Sequence, residues 1–415
     1  MTKKIVVFYI VSILMLANGT LFTWLFGFVG FRMWRQVIFF IGLIIVIKKS
    51  NEFLGFKGFL SSYGNLFCVC IFFSLLTLII DGFNPIRIAY AIWIYFAGLP
   101  FVLCIPYMNR FGWSQDKINY FFILLGVIQT IGLFVDYYLG GAITSFFLGS
   151  AKGEERSVED ILISGRYCFL SEAPTTFAIY YCLSLTFCFL QILREKSILR
   201  IIIIYLTSMS FIVGAWLTGS RQLVLVILVV IAIDTFVIFV KSRKLRFSAI
   251  PIAIAIMLIA TPVVSFLYSD DAFADRYTSE SIEGDKRYKS WKEGWEDCFF
   301  NPTARRATIG DGVGYTTGNY ASKSEVVGYH YENTFFARIS EIGFIAGLIS
   351  LLLPVFTIRK RSKYFSPLDW LCASFCLAYI VICYVSPNGA ATTTQMSLFI
   401  LLGMVINWKQ ISASK

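Results

Sequence analysis

The chain has 415 residues, 57% of them hydrophobic and 15% charged, a balance too apolar for a soluble domain of this size, whose surface needs polar cover. The formal net charge of +11 would suit a nucleic-acid binder, but the basic residues alternate by loop along the chain and form no single patch, so no nucleic-acid partner is expected. Ten cysteines without a Cys-x-x-Cys pair and a single histidine argue against a zinc or haem site, and no metal or cofactor is expected.

Lys3 and Lys4 precede an apolar stretch longer than the core of a cleaved signal peptide, with no small-x-small cleavage site, so the start reads as a retained first helix. A spanning helix needs roughly 20 mostly apolar residues. Twelve such spans are predicted: 5–26, 31–47, 63–80, 85–108, 118–139, 173–193, 199–217, 223–240, 247–268, 334–358, 368–385 and 394–408. The second is the weakest, with Arg32 and Arg35 in its first turn. Basic clusters fall on alternate loops: Lys48 and Lys49; Arg110 and Lys117; Arg194, Lys196 and Arg200; Lys241, Arg243, Lys244 and Arg246; Arg359, Lys360, Arg361 and Lys363. With both termini cytoplasmic, this parity puts 20 basic and 5 acidic residues inside, against 16 basic and 20 acidic outside, as the positive-inside rule requires.

The expected fold is therefore an all-α polytopic transmembrane bundle of about 12 helices. Nine spans occupy 1–268, with an outer loop at 140–172; a large outer loop fills 269–333; three spans occupy 334–415. No internal repeat of halves is visible, and polar residues collect on the outer side. Asp234 is the exception, inside the eighth span, and reads first as an interhelical hydrogen bond or a snorkelled cap.

In the large loop, Tyr288, Trp291, Trp295 and Phe299 recur at spacings of three and four, one face of a helix over 285–300 that Pro302 ends. That face suits an amphipathic helix lying on the membrane or capping the bundle, and alternatively a sugar-stacking surface at Trp291 or Trp295. Cys168 and Cys298 both map outside, as two free thiols or as one disulfide.

Outer-side arginines are the anomaly, since positive charge is disfavoured there. Arg221 lies in the short turn Thr218-Gly219-Ser220-Arg221; Arg166, Arg287 and Arg338 fall on the same side. Each suits either snorkelling to lipid phosphate or a bound diphosphate, which guanidinium holds through charge-assisted bonds. The run Gly310-Asp311-Gly312-Val313-Gly314 is a plain turn or an anion nest. Glu172, His330 and Glu332 are possible bases on this side, Glu332 also a possible helix cap, with Asn333 the alternative N-cap. Arg338 and Glu341, at i and i+3, have the spacing of an ion pair.

The order of these features resembles the O-antigen polymerase and ligase family of polytopic glycosyltransferases. Gly219-Ser220-Arg221, Arg287-Tyr288-Lys289-Ser290-Trp291, Asn301-Pro302, the glycine run, Tyr331-Glu332-Asn333 and Gly343-Phe344-Ile345-Ala346-Gly347 follow in the family's order. The family's ligases usually carry His directly before the Asn of the late motif; here Glu332 stands there and His330 lies two residues earlier, closer to the polymerase pattern. The resemblance implies a metal-independent polymerase joining undecaprenyl-diphosphate-linked oligosaccharide units at the outer face of the bacterial inner membrane, alongside a chain-length-determining co-polymerase. It implies Arg221 and Arg287 on the leaving diphosphate and Glu332 as base, with Arg166, Glu172, His330, Asn333, Arg338 and Trp291 binding substrate. Ligation of polysaccharide to lipid A core, and transport of lipid-linked sugars, are the alternatives.

Overall fold

A computed structural model of the chain describes residues 2–31, 33–53, 55–81, 85–152, 167–171, 177–241, 286–314, 333–361, 367–385 and 392–413. Every regular element among the described residues is helical. In chain order these are α1 (Thr2–Ala17), α2 (Gly19–Phe28), α3 (Trp34–Lys49), α4 (Phe56–Asp81), α5 (Pro85–Phe96), α6 (Cys104–Arg110), α7 (Gln115–Tyr138), α8 (Ala142–Lys152), α9 (Phe177–Arg194), α10 (Ile198–Leu217) and α11 (Arg221–Lys241). They continue as α12 (Lys286–Trp295), α13 (Ala304–Thr308), α14 (Thr334–Ile342), α15 (Phe344–Arg361), α16 (Pro367–Val385) and α17 (Thr392–Ala413).

The stretches 56–76, 92–110, 115–138 and 198–217 are long and apolar enough to cross a membrane, and the pair α1 and α2 would make a fifth if it were one span. Shorter apolar helices lie within α9, α11, α15, α16 and α17. The expected span 247–268 lies outside the described residues, as does much of both outer loops.

The bundle is apolar inside and out. Tyr181, Cys182, Leu185, Phe187, Cys188 and Phe189 of α9 are buried on every side, so α9 forms a central post, with Phe187 stacked on Phe122 of α7 at 4.4 Å. On outward faces Ile44, Phe72, Ile79, Leu124, Ile131 and Leu206 are exposed, the reverse of a water-facing helix.

Three of the expected spans are broken, each for a local reason. The first bends by 96° between α1 and α2. Asn18 at the bend accepts a hydrogen bond from Gln129 Nε2 at 3.0 Å, and Thr20 turns its N–H and Oγ1 to the carbonyls of Leu170 and Ser171 at 3.1 and 2.7 Å. These bonds satisfy polar groups that a straight helix would leave within apolar packing. α2 then lies against α8, with Trp24 beside Phe146 and Phe147. The fourth is interrupted by a tight helical turn over Leu99–Leu103. There α17 approaches so closely that a Cβ on Gly98 would strike the backbone of Gln395, and the Pro100 carbonyl accepts from Tyr9 Oη at 2.9 Å. The tenth, predicted as 334–358, is divided at Gly343 into α14 and α15.

Asp136, wholly buried at the end of α7, anchors the segments that follow it. It accepts from the N–H groups of Ile143, Thr144 and Phe169 at 2.9, 3.1 and 3.3 Å, and from Thr144 Oγ1. The Thr144 hydroxyl in turn accepts from Cys168 N–H at 2.9 Å.

Candidate functional site

α14 is nine residues long and almost wholly enclosed, an uncommon setting for a helix carrying Arg338 and Glu341. Its start and stop are both polar devices. Asn333 has extended backbone and its side chain accepts from Phe336 N–H at 2.8 Å, the geometry of an N-cap. At the other end Gly343 takes φ +82°, the left-handed region that glycine adopts at least cost. The glycine run closes the same end: Asp311 N–H reaches the Ser340 carbonyl at 2.7 Å and Gly312 N–H the Glu341 carbonyl at 3.0 Å. Arg306 Nε and Ser340 Oγ both donate to Asp311 Oδ2, at 2.8 and 3.1 Å, and Arg305 donates to the Gly310 and Asp311 carbonyls at 3.3 and 3.2 Å.

The anion-nest reading of the run is thereby corrected. The N–H groups of Asp311 and Gly312 are spent on the last carbonyls of α14, where four backbone acceptors of any helix lack intrahelical donors. Glycine is needed for approach: a Cβ on Gly310 would meet the Glu341 carbonyl, and one on Gly343 the Thr308 carbonyl.

Arg338 is 5% exposed and its guanidinium carbon stands 3.2 Å from the centroid of the Tyr95 ring, directly over the face. Tyr95 belongs to α5, and its hydroxyl donates to Glu341 Oε2 at 2.9 Å across 246 residues of chain. The expected Arg338–Glu341 ion pair does not form. Among the described residues, Arg338 makes no ion pair with a carboxylate. Its charge acts on Tyr63 and Cys70 of α4 and on Tyr379 and Cys383 of α16, all neutral groups when protonated. Gln395 of α17 donates to Tyr379 Oη at 3.0 Å. The cation is therefore set among phenols and thiols from three helices, with the Glu341 carboxylate on the far side of Tyr95.

The aromatic stripe seats a loop helix onto this end of α14. The helix runs as α12 and continues with wider turns through Glu296–Phe300, ending just before Pro302. Trp295 Nε1 donates to Tyr384 Oη at 2.8 Å, and its ring meets Phe336 edge-on at 5.7 Å. Phe299 stacks on Phe335, and a Cβ on Gly294 would strike the Phe336 ring. Trp291 lies flat against Tyr384, with centroids 5.8 Å apart. One face of Trp291 is thus taken by protein, which favours the bundle-capping reading over an open sugar platform. Two donors here have no acceptor among the described residues: Trp291 Nε1 and Asn333 Nδ2.

Of the sequence candidates, the structure thus places Asn333 at the start of α14, Arg338 at its middle and Trp291 in the helix that covers it. Arg221 opens α11 and Arg287 lies in the first turn of α12, but their side chains are outside the described residues. Arg166, Glu172, His330 and Glu332 also lie outside them. No disulfide joins Cys168 and Cys298; the first sits beside Thr144, and the second faces the Phe336 carbonyl at 4.0 Å. Tyr95, Tyr379 and Gln395 were not legible as site residues. Their polar groups on otherwise apolar helices are the only signal, and a tyrosine there reads equally as core.

Comparison with protein-family models and with curated proteins finds no match to this chain.

Proposed function

We propose that the chain is an integral membrane glycosyltransferase acting on a sugar linked to a lipid diphosphate. Within that class we place it as an O-antigen polymerase, which joins undecaprenyl-diphosphate-linked repeat units at the outer face of the bacterial inner membrane. Outward apolar faces and loop-by-loop charge parity support the bilayer setting and the twelve-span topology with both termini inside. The observation that carries the functional reading is Arg338: a buried guanidinium, held over the Tyr95 ring, that makes no ion pair with a carboxylate among the described residues. Leaving a cation unpaired in low dielectric costs several kcal/mol, and a bound phosphate group removes that cost.

In the proposed reaction a hydroxyl of the incoming unit attacks the anomeric carbon of the growing chain. The bond from that carbon to the diphosphate oxygen breaks, and the lipid diphosphate leaves with both electrons. Arg338 stabilises the charge that gathers on the leaving group, together with Arg221 and Arg287, which the sequence motifs assign to it. The hydroxyl proton passes to Glu332, which directly precedes the Asn333 cap in the sequence.

The test is purified protein with a lipid-linked repeat unit, resolved by chain length. Elongation by wild type, lost in Glu332→Gln with donor binding retained, is expected. Transfer only to lipid A core, or movement of the lipid across a vesicle without lengthening, would replace the proposal with ligase or transporter.

A further inference from the structure

Asp234 lies 13 residues beyond Arg221 on α11, about 20 Å along the axis at 1.5 Å per residue, so it belongs to a different level of the bundle from the start of that helix. It is wholly buried, and among the described residues neither carboxyl oxygen completes a hydrogen bond. The interhelical partner that the sequence reading expected stands beside it in Ser374 of α16, whose hydroxyl interacts with the carboxyl group. Groups from three neighbouring helices face it: Cys182 of α9, Tyr205 of α10, and Cys372 and Ser374 of α16. Asp369, one turn earlier on α16, adds a further acidic group near Cys372. None of these is a cation.

The hydroxyls are unfulfilled too. Ser374 Oγ stands within reach of the carboxyl group without completing a hydrogen bond, and Tyr205 Oη and the adjacent Thr235 Oγ1 are likewise buried without partners. A buried carboxylate of this kind is costly, and buried polar atoms in folded proteins are nearly always paired. Several oxygen atoms left open around one acid, with no cation among the described residues that act on it, share one remedy. A small positive ion at their centre neutralises the carboxylate and serves the hydroxyl lone pairs together.

Of the two acids only Asp234 has both oxygens open, and its single negative charge matches a single positive one. A divalent ion would leave an uncompensated charge and takes more carboxylates than one. We propose that Asp234, with the hydroxyls of Ser374 and Tyr205, forms a buried site for a small monovalent cation, occupied by a sodium ion or a proton. Both sources share the chemistry of one positive charge on one carboxylate with hydroxyl support. The proposal is independent of the glycosyltransferase reading.

The experiment uses the full-length protein in detergent. Thermal unfolding is followed in sodium chloride and in choline chloride at equal ionic strength, and the infrared spectrum is recorded at neutral pH. For sodium, the unfolding midpoint rises with sodium concentration, the rise disappears in Asp234→Asn, and Ser374→Ala raises the sodium concentration needed by roughly tenfold, the worth of one lost ligand bond. For a proton, sodium has no effect, but a carbonyl band of a protonated carboxylic acid is present, vanishes in Asp234→Asn and shifts in Ser374→Ala. Ser374→Ala changes no charge, so it decides either arm should Asp234→Asn fail to fold. A wild-type protein with neither a sodium response nor the acid band overturns the proposal, as does a response unchanged in the variants.

Discussion

Replacing Arg338 by Met separates a ligand-binding arginine from a structural one, because the two roles predict opposite signs for stability. Methionine retains an unbranched stem to cover the Tyr95 ring but removes the charge. A guanidinium and a phosphate with charge centres about 4 Å apart interact by about 4 kcal/mol at the effective dielectric of about 20 that suits buried protein sites. If that interaction strengthens as the diphosphate leaves, its loss lowers turnover by about a thousandfold. Stability moves otherwise. The contact of Arg338 with Tyr95, 3.2 Å from ring centroid to guanidinium, contributes roughly 0.5 to 2 kcal/mol. Against this, removing a buried cation that makes no ion pair among the described residues relieves a penalty of several kcal/mol. The thermal midpoint of Arg338→Met should therefore stay level or rise while chain elongation collapses. The assay is elongation of a lipid-linked repeat by purified protein, with thermal unfolding of the same samples. Elongation within tenfold of wild type, or a clear fall in the midpoint, would refute the reasoning.

Gly343→Ala should destabilise more than Gly112→Ala, although both residues have positive φ: strain costs about 1–2 kcal/mol at each, but only at Gly343 does the new Cβ meet a carbonyl, whereas Gly112 faces open space. Equal losses of thermal midpoint would count against the packing account. Trp295→Phe and Tyr384→Phe should each cost about 1 kcal/mol by breaking the 2.8 Å bond between them, and the double variant should cost little more than either alone; a sum of the two would mean that the bond carries no energy. A hydrogen bond from Lys49, and secondarily one from Arg110, holds the Glu52 carboxyl below the usual carboxylate range despite the opposing effect of desolvation. A depressed folded-state value contributes stability above the unfolded value near 4.3 and loses it as pH falls through the folded one, so the deficit of Glu52→Gln at pH 7 should close on acidification. Added salt should shrink that deficit too, the pair being partly exposed; a deficit that widens in acid would contradict this assignment.

The sequence by itself determined what depends on neighbours a few residues apart. Apolar runs placed α4, α7, α10 and α11 within a few residues of their observed ends, except at the start of α4, because burying apolar side chains and satisfying the backbone within one segment are local requirements. Spacings of three and four placed the aromatic face of α12, and Asn before an apolar run marked the cap of α14. Hydropathy had no means of detecting the breaks. Leu14 to Phe26 stays largely apolar through Asn18, and Thr334 to Ile358 through Gly343 apart from Arg338 and Glu341, and what divides them is a partner elsewhere: Gln129 and Leu170 in one case, Thr308, Asp311 and Gly312 in the other.

The candidate site divides in the same way. Arg338 stood out in the sequence as a charge where charge is costly, and that much is a property of the residue and its surroundings in the chain. Its relationship to Glu341 was misread, since i and i+3 spacing permits a pair without requiring one. Tertiary structure decided the matter by bringing Tyr95 from α5 between the arginine and the carboxylate, its ring under one and its hydroxyl on the other. Such a choice depends on which helices meet, and 246 residues separate the partners. Local composition carries the presence of a buried charge; only the packing of distant helices decides what answers it.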